Sequence, residues 1–206
     1  MKPRPSCSPR PRLASLALFC VAALALLRPA AAAGSAEWGL DQLAAELART
    51  PPGAMRFTEL KYLAALKQPL KMDGRVSYTP PDTLEKVVTA PQPERFVLRG
   101  GALELQKGDG APRRLELAQY PLLQAFVGAF TATLAGNLDG LRQHYELKLG
   151  GHRHAWTLDL TPKEQALAAR VKAIRVAGAV DRIQQFETVQ TNGDRSIMFF
   201  SLLPAP

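Results

Sequence analysis

Cysteine is nearly absent from the 206-residue chain, which has only Cys7 and Cys20, both close to its N-terminus. The rest of the chain therefore has no disulfide framework and no thiol nucleophile. No G-x-S-x-G segment occurs, which excludes the nucleophile elbow of serine hydrolases. The glycine pairs at 100–101 and 150–151 lack the Lys-Ser/Thr of a phosphate loop, so we interpret both as turns.

Residues for metal or acid chemistry are also scarce. The three histidines are His144, His152 and His154, and the last two flank Arg153 beside the predicted turn at 150–151, where exposed polar residues are expected. A zinc site needs three or four converging ligands, so we predict no metal and no cofactor. Asp159 and Glu187 could form a glycosidase pair, but 18 acids on alternating strands offer such pairs by chance. We therefore expect no enzyme.

The N-terminus has the three parts of a secretory signal. A basic stretch without acids precedes a 15-residue apolar stretch, Leu13 to Leu27, and a small-residue run with an A-x-A site follows, ending at Ala33. A stretch of 15 residues falls short of the roughly 20 that a membrane-spanning helix needs. We predict a signal peptide at residues 1–33, cleaved near Ala33, and export to a bacterial periplasm.

Cleavage would change the charge of the protein. The full chain has a net charge of +8, but residues 34–206 have 21 basic and 18 acidic residues, a net charge of about +3. No basic stripe is left that would indicate nucleic-acid binding. The segment 34–206 has the size of one domain with a sizeable core, and we predict a monomer.

Most of this domain reads as short antiparallel strands. Apolar residues alternate with polar ones in about ten runs, such as 54–63, 69–80, 112–119 and 154–162, with Pro, Gly or Asn-Gly turns between them. Successive runs look like neighbours in a meander. A sheet with one apolar face must cover it, and a long twisted sheet curls.

Two segments have helical spacing instead. Residues 37–50 and 120–136 each place apolar side chains on one side, and Gly136 reads as a helix stop. Shorter helices are predicted around 137–144 and 163–170. The predicted fold is mainly β with a helical lid: an incomplete, strongly curved antiparallel barrel of about ten strands whose apolar cavity is covered by helices.

Several weak motifs occur in an order that resembles the LolA-like outer-membrane lipoprotein carriers, in particular a divergent subgroup. They cover most of residues 37–200 and are Phe57-x-Glu59, Pro69-Leu70, Gly74-x-Val76-x-Tyr78, Pro81-Asp82-x-Leu84, Pro91, Pro93, Gly100-Gly101-x-Leu103-x-Leu105, Leu134-Ala135-Gly136-Asn137-Leu138, Trp156-x-Leu158-x-Leu160-x-Pro162 and Asn192-Gly193-Asp194.

The resemblance implies a periplasmic carrier that shields the acyl chains of a lipoprotein, or of another acylated lipid, between inner and outer membrane. It also implies an inner-membrane transporter and an outer-membrane receptor as partners. Well-studied carriers hold the closed lid with an arginine before the proline of the second strand, where this chain has Thr79-Pro80. The subgroup often has a basic residue after Phe-x-Glu, which here is Lys61.

Under this hypothesis the apolar side chains of barrel and lid contact the cargo. The expected barrel residues are Tyr78, Phe96, Leu98, Leu115, Leu117, Trp156 and Leu158, and the expected lid residues are Leu122, Phe126 and Phe130.

Other functions stay open at this point. A lipoprotein-sensing regulatory protein can share this architecture but usually has a second domain. A small secreted hydrolase would need an essential Ser, Asp or Glu. From the residues alone, the apolar interior could also be an ordinary core filled by its own side chains.

Overall fold

The computed structural model describes residues 38–50 and 53–203. The predicted signal peptide, residues 1–33, lies outside them. The eleven strands are β1 Gly53–Tyr62, β2 Leu70–Thr79, β3 Thr83–Ala90, β4 Glu94–Arg99, β5 Ala102–Lys107, β6 Arg113–Glu116, β7 Tyr145–His152, β8 Ala155–Pro162, β9 Val171–Ala179, β10 Arg182–Gln190 and β11 Arg195–Leu202. The helices are α1 Leu40–Ala48, α2 Pro121–Leu134, α3 Leu138–His144 and α4 Gln165–Ala168, with a 3-10 turn at Leu117–Gln119.

All eleven strands form one antiparallel sheet in the order β6-β5-β4-β3-β2-β1-β11-β10-β9-β8-β7. It consists of two meanders, β1 to β6 and β7 to β11, joined where β1 pairs with β11. The edge strands β6 and β7 do not pair, so the sheet stays open. We predicted that successive strands are neighbours in the sheet, and this is wrong for β6 and β7. Residues 117–144 carry the chain from one edge of the sheet to the other between them. The mainly β fold with covering helices is confirmed.

The covered face of the sheet is filled unevenly. Under β8 and β9 the packing is solid: Trp156 is 1% exposed and Leu158, Leu160, Ile174 and Val176 are fully buried. The Trp156 indole also donates a hydrogen bond to the Val180 carbonyl at 3.1 Å. At the other end of the sheet, a separate small cluster contains Leu98, Leu103 and Leu117. Most of the fully buried side chains of the sheet therefore lie on β8 and β9, and the same buried cluster continues across β1 to β3 at Phe57, Val76 and Val88.

The helix α2 crosses the covered face and is anchored at its C-terminal end. Pro121 occupies its first turn, which is a favourable position, and its buried residues are Ala129, Phe130 and Thr133. Gly136 stops it with a φ of 66°. A β-carbon there would press on the backbone of α1 at Ala44 and Ala48, so α1 fits closely against this end.

Two sequence predictions need correction. The run 112–119 was expected to be a strand throughout, but β6 ends at Glu116 and Leu117 begins the 3-10 turn. Leu117 therefore lies on a connection to the lid and not on a barrel strand. The helix expected at 37–50 is shorter, at Leu40–Ala48, whereas the eleven strands agree with the expected number of about ten. None of the helices in the described ranges has the length and hydrophobicity that crossing a bilayer requires.

Candidate functional site

A cavity of about 420 Å³ lies between α2 and the sheet. Its roof is the apolar side of α2, with Leu123, Phe126, Val127 and Phe130. The remaining apolar lining comes from strands and the β1–β2 connection: Leu63, Val76, Leu84, Phe186 and Met198. The other lining residues are polar and belong mostly to β1, β3, β10 and β11: Glu59, Lys61, Lys86, Thr188, Gln190, Asp194, Arg195 and Ser196. The cavity therefore has an apolar roof and a partly polar floor.

Glu59 is the centre of this floor. It is only 3% exposed, because period-two alternation places it on the same face as the buried Phe57. The Ser196 hydroxyl donates a hydrogen bond to its Oε1 at 2.7 Å, and the Lys86 ammonium donates to its Oε2. The Nζ of Lys61 lies 3.6 Å from Oε1. One buried carboxylate thus meets two ammonium groups.

The pKa values of Glu59 and Lys86 are both lowered. Burial alone would raise the pKa of Glu59, but the charges of Lys86 and Lys61, with hydrogen bonds from Lys86 and Ser196, hold it below 4.5. Burial lowers the pKa of Lys86 by more than Glu59 raises it. The Lys86 ammonium also lies 4.8 Å from the centroid of the Phe57 ring, which favours a cation. A charged pair therefore lies at the centre of the partly polar floor.

The other charged groups of the lining have partners of their own. Arg195 Nε donates a hydrogen bond to Glu187 Oε1 at 2.6 Å. The Asp194 carboxylate accepts hydrogen bonds from the Ala64 backbone and the Asn192 side chain, each at 2.9 Å, and so shapes neighbouring turns. Among the described residues, no group of three or more His, Cys, Asp or Glu side chains is placed to hold a metal ion.

A second cavity, of about 660 Å³, lies at the other end of α2. It is lined by Leu47, Ala48, Thr50, Gly53, Ala54, Met55, Tyr78, Pro80, Leu134, Ala135, Asp181, Arg182, Ile183, Gln184, Phe200, Ser201 and Leu202. Phe130, on the first cavity, stacks on Phe200, on the second, with 5.6 Å between ring centroids. It also meets Phe186 edge to face at 5.1 Å. These aromatic rings lie where the two cavities approach each other.

A hydrogen bond ties the middle of α2 to the sheet. The Tyr145 hydroxyl, at the start of β7, donates to the Ala125 carbonyl at 3.2 Å. Burial, and to a lesser degree the charge of Glu164, raises the pKa of Tyr145 to about 12. In the first half of α2, up to Gly128, no residue is fully buried. Its apolar side chains pack against both buried clusters without being fully buried, and the tyrosine hydrogen bond adds a polar contact.

The predicted cargo-contacting residues fall into three groups. Phe126 and Phe130 line the first cavity and Tyr78 lines the second. Trp156 and Leu158 are members of the main buried cluster, in its solid part under β8 and β9, and Leu122 packs against that cluster. Phe96 packs on both clusters, and Leu98, Leu115 and Leu117 belong to the small cluster. Seven of the ten therefore line neither of these two cavities, and contact with cargo stays a prediction for all ten.

Sequence reasoning missed the charged floor. Glu59 was noted only as part of a motif and Lys61 only as a basic neighbour, while Lys86 was not singled out. The alternation contained a usable signal, since Lys86 stands between Leu84 and the buried Val88 on β3. A charge at an inward position of a strand is rare unless it is paired.

Residues 30–201 match the family described as "Outer membrane lipoprotein carrier protein LolA-like". The chain belongs to this family. No curated protein is similar enough to this LolA-like chain to count as a relative.

Solved structures with a similar arrangement are distant. A LolA superfamily protein from Nitrosomonas europaea is 11% identical, with a TM-score of 0.43 and 81% of this chain and 93% of that chain covered. A DUF1329 family protein from Desulfovibrio piger is 10% identical, with a TM-score of 0.43 and coverages of 79% and 88%. The matching chain of the MucA/MucB complex from Pseudomonas aeruginosa is 13% identical, with a TM-score of 0.37, and the match covers 81% of this chain and 57% of that chain. The LolA-like assignment therefore depends on the family match.

Proposed function

We propose that this LolA-like protein is a periplasmic carrier, without catalytic activity, that shields acyl chains of a lipoprotein or other acylated lipid between inner and outer membrane. The observation that supports it best is the open space beneath the apolar side of α2, beside Phe126 and Phe130. A solid core would have filled this space, as it does under β8 and β9.

The size of the space suits a hydrocarbon chain. A 150 Å³ apolar cavity accommodates benzene, which is about 25 Å³ per carbon. By that measure the first cavity of about 420 Å³ has room for about 17 carbons. Both cavities fall in the range of roughly 300–1,000 Å³ that is usual for small-molecule sites.

The energetics require a match between cavity and membrane. Moving a chain of about 16 carbons into water costs roughly 12 kcal/mol at ~0.8 kcal/mol per CH₂. The cavity must offset most of this cost, or the cargo never leaves the first membrane. It must not exceed it greatly, or the cargo is never delivered. Apolar contacts without directional bonds meet both demands.

The lid must move for a chain to enter. The C-terminal end of α2 is fixed against α1 at Gly136, whereas its first half has no fully buried residue. We expect this first half to swing outward, breaking the bond between Tyr145 and Ala125. This hydrogen bond would then hold the closed lid in place of the arginine of well-studied carriers, whose position is occupied by Thr79 in this chain. An inner-membrane transporter and an outer-membrane receptor are the expected partners for loading and release.

The test is lipid capture by the protein recovered from a periplasmic extract. Mass spectrometry should identify co-purified acylated lipid, and a fluorescent C16 acyl probe should bind. Phe126→Asp should abolish both, because it places a carboxylate in the apolar roof. Gln124→Asp, on the exposed side of the same helix, is the matched control and should bind normally. Absence of lipid and probe binding in the unaltered protein, or normal binding by Phe126→Asp, would overturn the proposal.

A further inference from the structure

Acyl-chain shielding does not require the charged floor of the first cavity. An apolar chain needs only the roof and the apolar strand residues. Placing the charges of Glu59 and Lys86 beneath α2 costs desolvation free energy that a purely apolar lining would avoid. A cavity with an apolar roof and a charged floor fits an amphiphile.

The charges of this group do not cancel. Lys61 and Lys86 share the single carboxylate of Glu59, which leaves one positive charge. Arg195 adds none, since Glu187 neutralises it at 2.6 Å. Asp194 also lines the cavity and keeps its negative charge, because both of its oxygens accept hydrogen bonds from neutral groups, but it pairs with neither lysine.

The two lysines differ in depth. The Lys86 side chain is 20% exposed and is held beneath α2, whereas that of Lys61 is 40% exposed and its ammonium lies farther from Glu59. Each ammonium has three donors, and the contacts to Glu59 use one of them at most. Donors are therefore available along a line from the buried floor to the solvent.

We propose that the first cavity takes an amphiphile with a singly anionic head group, bound by Lys61 and Lys86 while its chain lies against α2. The shared chemistry is a monoanion joined to an acyl chain, either the carboxylate of a free fatty acid or the phosphodiester of a phospholipid. This inference rests on the proposed carrier function and narrows its cargo.

The test compares charged ligands with neutral counterparts by displacement of a fluorescent C16 probe. One arm uses palmitic acid against methyl palmitate, and the other uses phosphatidylglycerol against the matching diacylglycerol. A hydrogen bond to a charged group contributes about 1.5–3 kcal/mol, so the anion should bind about 10- to 150-fold more tightly in at least one arm. The arm that shows the difference identifies the source of the head group.

Variants separate a local contact from general charge. Lys61→Gln should remove most of the preference for the anion, and Lys61→Arg should keep it, because Lys86 and Ser196 still satisfy Glu59 in both. Lys67→Gln loses the same charge at an exposed position outside the cavity lining and should keep the preference.

Two results would overturn the inference. In the first, the anion and its neutral counterpart bind equally in both arms, and Phe126→Asp still abolishes the binding. This result would refute the head-group site and leave the carrier function intact. A preference for the anion that is lost equally in Lys67→Gln and Lys61→Gln reduces the effect to net charge. Absence of binding by any lipid would instead refute the carrier function itself.

Discussion

Removing the charges of Glu59 and Lys86, singly and together, tests how this buried pair is held. Glu59→Leu leaves the Lys86 ammonium without its carboxylate, and Lys86→Met leaves Glu59, which is 3% exposed, with weaker partners. The double variant replaces both with apolar side chains on a face that already packs Phe57 and Phe96 around them. The three variants and the original protein form a double-mutant cycle.

The expected magnitudes follow from burial. Breaking a buried ion pair by removing one partner costs about 3–5 kcal/mol. Because the Lys86 side chain is 20% exposed, we expect the lower end, about 3 kcal/mol for each single variant. Replacing both partners is often neutral or stabilising, but the Ser196 hydroxyl loses its acceptor here, at about 1–2 kcal/mol. The double variant should therefore lose about 1 kcal/mol, against about 6 kcal/mol if the single losses were additive.

Urea unfolding followed by tryptophan fluorescence measures these differences. Trp156 is 1% exposed and reports on the folded sheet. At about 2–4 °C per kcal/mol, the single variants should also lower the Tm by roughly 6–12 °C. Additive losses within about 0.5 kcal/mol would show that the two side chains contribute independently, and the account of a mutually dependent buried pair would be refuted.

Two further predictions concern the lid. Gly136→Ala should reduce the free energy of unfolding by about 1–3 kcal/mol, because Gly136 has a φ of 66° and a β-carbon would press on α1. Gly128→Ala, in open space within α2, should raise the free energy of unfolding by about 0.5–1 kcal/mol. Equal effects of the two substitutions on urea unfolding would contradict the anchoring of α2 at Gly136. Tyr145→Phe removes the bond to Ala125, a net contribution of about 1 kcal/mol, so lid opening should become about fivefold more favourable. Stopped-flow uptake of the C16 probe should be correspondingly faster, and an unchanged rate would show that this bond does not hold the lid.

The alternating pattern predicted much of the fold, because strands and turns are local features. The strands, the two main helices and the stop at Gly136 follow from residues close together in the chain. The pairing of β1 with β11 does not, since it joins residues such as Met55 and Leu202 that no local signal connects.

The candidate site was harder to predict for a different reason. Alternation tells which residues point to the covered face, but not whether that face is filled or open at a given place. Trp156 and Phe126 are both large and apolar, yet one is part of the solid core and the other lines a cavity. The difference depends on where α2 crosses the sheet, which is set by packing between distant segments.

The central position of β11 has a consequence for how the protein folds. Strands near the two ends of the chain pair in the middle of the sheet, so this contact closes the longest loop that the sheet contains. Each meander has only local contacts and can nucleate early, whereas joining them waits until Arg195–Leu202 has been synthesised. Until then one edge of β1 and one edge of β10 have unpaired backbone N–H and C=O groups. A truncation before residue 195 would leave two half-sheets whose unpaired edges can associate with other chains.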